Sequence, residues 1–136
     1  MSRPLLTVTL IAALAIPLVA ESRQAPTDPA RYAKAFQRGA AKPAPPKTLA
    51  DEARCSAAWQ MTWTIYWVNT TDGLPTGYDK TMLKAQAQNW FDRLHDQGDA
   101  GEAAFEKADS EIIQPLAAAG QREKIVEIAG ACGRTD

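Results

Sequence analysis

The 136-residue sequence is poor in the residues from which much small-protein chemistry is built. One histidine and two cysteines make too small an inventory for a metal centre of nitrogen and sulfur ligands. CxxC, CxxCH, HExxH, GxSxG and a glycine-rich phosphate loop are all missing, and Asp72-Gly73 lacks the oxygen ligands an EF-hand loop needs. Charge of one sign is missing as well. Fifteen basic residues stand against sixteen acidic ones, for a net charge of -1. An obligate nucleic-acid binder would carry a strong basic excess, so that class is excluded. No metal, no cofactor and no catalytic residue is expected, and an enzyme is disfavoured. What is present is ordinary globular material, 46% apolar and 23% charged, in an amount suited to one domain.

Long apolar runs are confined to the start. Arg3 supplies a short positive region, and Leu5 to Ala20 follow without a charge, ending at small Ala20 before Glu21-Ser22. That layout predicts a signal peptide over residues 1–20, cleaved after Ala20, although Leu18 is large for its position. A membrane anchor needs about 20 apolar residues, which this run of sixteen with a proline does not supply. The expected location is periplasmic or secreted, with no transmembrane segment after cleavage. Export changes how Cys55 and Cys132 read: in an oxidising compartment, an isolated pair far apart in sequence is expected to form one structural disulfide.

Residues 21–47 form a basic arm with five of the nine prolines. Asp28-Pro29 can start a short helix that sets Tyr32 and Phe36 one turn apart, with Arg31, Lys34 and Arg38 around them. The arm carries a balance of +4, and residues 48–136 carry -6. Three readings follow: a solvated leader, an arm docked on its own body through Tyr32 and Phe36, or an arm reaching a membrane surface or an acidic partner.

Residues 48–136 predict an all-α fold, a small antiparallel bundle of three to four helices closed by one disulfide and preceded by the Pro-rich arm. Thr48 caps a helix running to Val68, with Asp51 and Glu52 in its first turn. Trp59, Met61, Trp63, Ile65 and Trp67 also alternate as a strand would, but no second strand is available to pair with it. Asn69 to Gly77 is loop, and Asn69-Thr70-Thr71 matches the N-glycosylation pattern. Thr76 with Asp79 suggests a capping box for the next helix, whose apolar face is Leu83, Ala87, Trp90, Phe91 and Leu94, ending at Gly98. Phe105, Ala108, Ile112, Ile113 and Leu116 mark a further helix ending at Gly120, with a kink or early stop expected at Pro115. A last helix covers Gln121 to Ala131.

The tryptophans are the unusual feature. Trp59, Trp63 and Trp67 occupy successive turns, joined by Tyr66 and by Trp90 on the next helix. Successive steps of four residues drift by about 40° around a helix, so these rings strain what a small core can hide: most are expected in the core, and the remainder at a protein-binding surface or in an apolar ligand groove. The five are the candidate binding surface, with Tyr32, Phe36, Arg31, Lys34 and Arg38 as candidate arm contacts. The expected function is non-catalytic binding of a protein partner, as an envelope accessory or inhibitor-like protein. The alternative is a carrier of a small apolar ligand or lipid in an aromatic-lined cavity. An enzyme using His95 comes third: this histidine has no nucleophile assigned to it, and its place near a helix C-terminus suits a protonated imidazole without any chemistry.

Overall fold

A computed structural model describes residues 29–69 and 74–135. The segment assigned to export lies outside them, as does Thr70 to Gly73. Among the described residues the chain is helical throughout, with no strand: α1 (Pro29–Ala40), α2 (Leu49–Asn69), α3 (Lys80–His95), α4 (Gly98–Ala108), a π-helical turn (Asp109–Ile113), α5 (Gln114–Ala118) and α6 (Arg122–Cys132). The period-two alternation of Trp59 to Trp67 therefore sits on a helix, as the lack of a pairing strand requires.

Side-chain caps set where the helices begin. The Thr48 hydroxyl accepts the Asp51 amide at 3.1 Å, and the Asp51 carboxylate accepts the Lys47 amide at 3.1 Å. That amide, the Thr48 hydroxyl and nearby Arg54 together hold the Asp51 carboxyl below the usual aspartate range. α3 starts later than the expected capping box implies. Pro75 to Tyr78 is a turn closed by the Tyr78 amide on the Pro75 carbonyl, with Gly77 at φ 84°. That geometry is a type II turn and forbids a helix there. Asp79, three residues after Thr76, is the cap, accepting the Met82 amide at 2.7 Å.

Pro115 does not stop its helix at once. It has no amide to give Glu111, and the chain absorbs the fault one turn upstream by widening to a π turn. There the Gln114 amide bonds the Asp109 carbonyl, five residues back, and the run continues to Ala118. At Gly120 (φ 71°) the Gln121 amide reaches Leu116 and the Gly120 amide reaches Ala117, the paired bonds of a Schellman close.

α2 is the central rod, and α3 folds back along it. At one end the Glu52 carboxylate accepts Arg93 at 3.1 Å and Gln97 at 2.5 Å; midway, Gln60 donates to the Ala87 carbonyl at 2.9 Å. Cys55 and Cys132 are joined, with Cα atoms 5.7 Å apart, so the start of α2 is fastened to the end of α6.

The arm does not stand apart as a solvated leader between residues 29 and 40. Tyr32, Ala35 and Phe36 are buried, Tyr32 edge-on to Tyr66 and Phe36 edge-on to Trp59 and Tyr78. Opposite charges meet where the sequence balance suggested: Arg31 pairs with Glu123 at 2.7 Å and Arg38 with Glu127 at 3.6 Å. α1 lies beside α6 and runs in the same direction, Arg31 facing Glu123 and Arg38 facing Glu127. The two backbones touch at Gly39 and Gly130. A methyl on Gly130 would overlap the Phe36 carbonyl, and one on Gly39 would overlap the Glu127 carbonyl.

Candidate functional site

The five candidate aromatics, four on α2 and Trp90 on α3, are divided between core and surface. Trp59 is fully buried, Trp63 half-buried, and Trp67 63% exposed. Each step of four residues turns the side chain about 40° further from the core, which produces this gradient. Tyr66 is buried against Tyr32, and that burial, with the Tyr32 phenol adding to it, raises its pKa. Trp90 is buried on α3, donating Nε1 to the Gly133 carbonyl at 3.2 Å. Three of the five therefore hold the core together and cannot face a partner.

The two that remain form a ridge near the C-terminal end of α2, beside the start of α3. The Trp63 and Trp67 rings lie 5.4 Å apart at an interplanar angle of 41°. Lys80, first residue of α3, holds its ammonium 5.4 Å from the centre of the Trp67 ring. Such a contact stabilises by roughly 0.5–1 kcal/mol at an exposed site and fixes the indole's tilt. Sequence reasoning left Lys80 unmarked. A lysine in a first turn, where the helix dipole disfavours it, was the available signal.

A second feature lies at the other end of α3. Phe91, Leu94, His95, Gly101, Glu102, Phe105 and Glu106 line an open groove of about 270 Å³ between α3 and α4. Its floor is aromatic: Phe91 meets Phe105 edge-on at 6.1 Å and stacks on His95 at 5.9 Å. Glu102 and Glu106, one turn apart, form its rim. The sequence stripe placed Phe91 in the core, but it lies on the flank of that stripe and is 39% exposed, while Leu83, Ala87, Trp90 and Leu94 are buried.

No family model matches the chain, and no curated protein or solved structure matches it either.

The site must therefore be read from its own chemistry. His95 sits in a groove and beside carboxylates, yet serine, threonine and cysteine are not among the residues lining that groove. Among the described residues no cluster of three or more histidine, cysteine or acidic side chains is placed to hold a metal ion, and no helix is long and apolar enough to cross a membrane. Arg31 and Arg38 of the arm are engaged with α6, while Lys34 remains exposed. Inside α2, the Ser56 hydroxyl, the Trp59 indole N–H and the Thr62 hydroxyl are buried without a hydrogen-bond partner among the described residues. They add a stability cost to the core but point to no reaction.

Proposed function

We propose that this is an exported helical protein of an oxidising compartment, periplasmic or secreted, that acts by non-catalytic binding of a protein partner. The observation that carries the reading is the Trp63–Trp67 ridge. A fold that hides Trp59, Tyr66 and Trp90 leaves a fourth large aromatic at 63% exposure, braced by a lysine. Exposed tryptophan is costly in water and is enriched where binding energy concentrates. The cystine joining Cys55 to Cys132 supports the compartment, since such bonds persist where thiols are not kept reduced. The charge-free run from Leu5 to Ala20 supports export. The packing of Trp59, Tyr66 and Trp90 into the core favours this reading over a carrier whose cavity those rings would line.

On this reading the helices form one bundle. The strap Lys42-Pro43-Ala44-Pro45-Pro46-Lys47 ties α1 to α2, with the Ala44 amide on the Ala131 carbonyl at 2.9 Å. A photo-crosslinking amino acid at position 67, with Ala118 as the exposed control position, tests the reading in the producing cell. A discrete protein adduct from position 67 and none from position 118 is the expected result. Adducts absent from both, or equal from both, would refute it.

A further inference from the structure

Three large hydrophobic side chains are left exposed among the described residues: Trp67, Phe91 and Ile112. Two of them belong to features of opposite chemistry. Trp67 stands out as a convex indole carrying a lysine ammonium. Phe91 belongs to a concave site with a phenyl floor and two carboxylates on its rim. A projecting indole with a cation beside it is what such a groove would receive. The ring would meet Phe91 and Phe105, and the ammonium would meet Glu102 and Glu106.

The two features cannot satisfy each other within one molecule. Lys80 and Phe91 stand on the same helix, eleven residues apart, which holds them about 16 Å apart along its axis. We propose that the occupant of the α3–α4 groove is the Trp63–Trp67–Lys80 ridge of a second copy of this chain. The proposal rests on the binding role assigned above to the ridge and names its partner.

The contact joins two different surfaces. Made head to tail it leaves one ridge and one groove free at the ends and grows into a ring or a chain; made twice about a twofold axis it closes a dimer. One indole and one ion pair cover much less than a stable interface of about 1,200 Å² or more, so the assembly should be concentration-dependent and weakened by salt.

Analytical ultracentrifugation of the mature, oxidised protein over a wide concentration range tests this. The wild-type weight-average mass should rise above that of the monomer and fall back at high salt. Two variants, Trp67→Ala and the double change Glu102→Lys with Glu106→Lys, alter exposed side chains only, and circular dichroism checks that each folds. Each alone should need about tenfold or more higher concentration to associate. Mixed together they should pair one to one and stop, because one intact ridge and one intact groove remain between them.

A monomer at every concentration would overturn the proposal. So would undiminished association of Trp67→Ala, or variants that do not complement. The mass of the adduct at position 67 separates this failure from that of the broader reading. A crosslink to a different polypeptide, with a monomeric protein in the centrifuge, rejects the second copy and leaves the binding role standing.

Discussion

Replacing Gly130 with alanine puts two opposing effects on one residue. In the interior of a helix this change ordinarily stabilises by roughly 0.5–1 kcal/mol, because alanine loses less backbone freedom on folding. Here the new methyl would lie within the envelope of the Phe36 carbonyl oxygen, 3.0 Å from its carbon and 3.2 Å from the Ala40 nitrogen. All three are backbone atoms, so no side chain can turn aside. To restore ordinary contact near 3.5 Å, α1 must withdraw by about 1 Å. That movement pulls Phe36 from Trp59 and Tyr78, and Tyr32 from Tyr66. Overpacking of this kind costs about 1–3 kcal/mol, more than the helix gain. At twelve residues α1 is too short to persist once undocked. The expected result is a fall in Tm of roughly 5–20 °C, with faster tryptic cleavage at Arg31, Lys34 and Arg38. Gly39→Ala should behave alike, and the double variant should cost less than the sum, because both open the same gap. A Gly130→Ala protein that melts higher than wild type would refute the α1–α6 crossing.

Removing the cystine by Cys55→Ala with Cys132→Ala frees a loop with a sequence separation of 77, and chain entropy then values the loss at about 4 kcal/mol. A loss below about 1 kcal/mol in urea titration would contradict that account. Trp90→Phe should cost about 1–3 kcal/mol more than Trp59→Phe, since the first strands the Gly133 carbonyl and the second removes a donor with no partner among the described residues. Equal losses would show that ring volume alone matters. Because the Asp51 carboxyl titrates lower in the folded than in the unfolded chain, its contribution is present above the ordinary aspartate pKa of about 3.9 and is lost as pH falls through the lower folded value. Asp51→Asn should therefore flatten the acid limb of a stability–pH curve, and an unchanged limb would deny the cap its role.

The parts of this molecule legible in the sequence are those that depend on a chemical rule acting within a few residues. Thr48 with Asp51 marks a helix start, Gly120 a helix end, and one cysteine near each end of the body a staple. Local rules failed where two of them competed. Thr76 and Asp79 are both good caps, and the turn built on Pro75 and Gly77 decided for Asp79. At Pro115 the sequence shows a missing donor, but whether the helix ends or widens depends on its neighbours, and a π turn leaves no composition signal. Docking of α1 was suggested by charge balance, yet Gly39 and Gly130 are 91 positions apart and become one contact only when two helices cross.

The aromatic surface shows the same limit from the other side. The 40° drift from Trp59 to Trp67 is arithmetic on residue spacing and already requires that some rings emerge from a small core. Which of them emerges depends on the neighbours: in the last turns of α2, Tyr66 lies against Tyr32 of α1 and is buried, while Trp67, one position on, turns away and is 63% exposed. Packing thus leaves one indole over at one end of α3, and the change in direction between α3 and α4 leaves two phenyl rings over at the other. A core that had simply run short of cover would scatter such rings among neutral neighbours. Here the ring at one end is braced by a lysine and those at the other are rimmed by glutamates, and this matching of charge makes the leftovers read as a pair of interfaces.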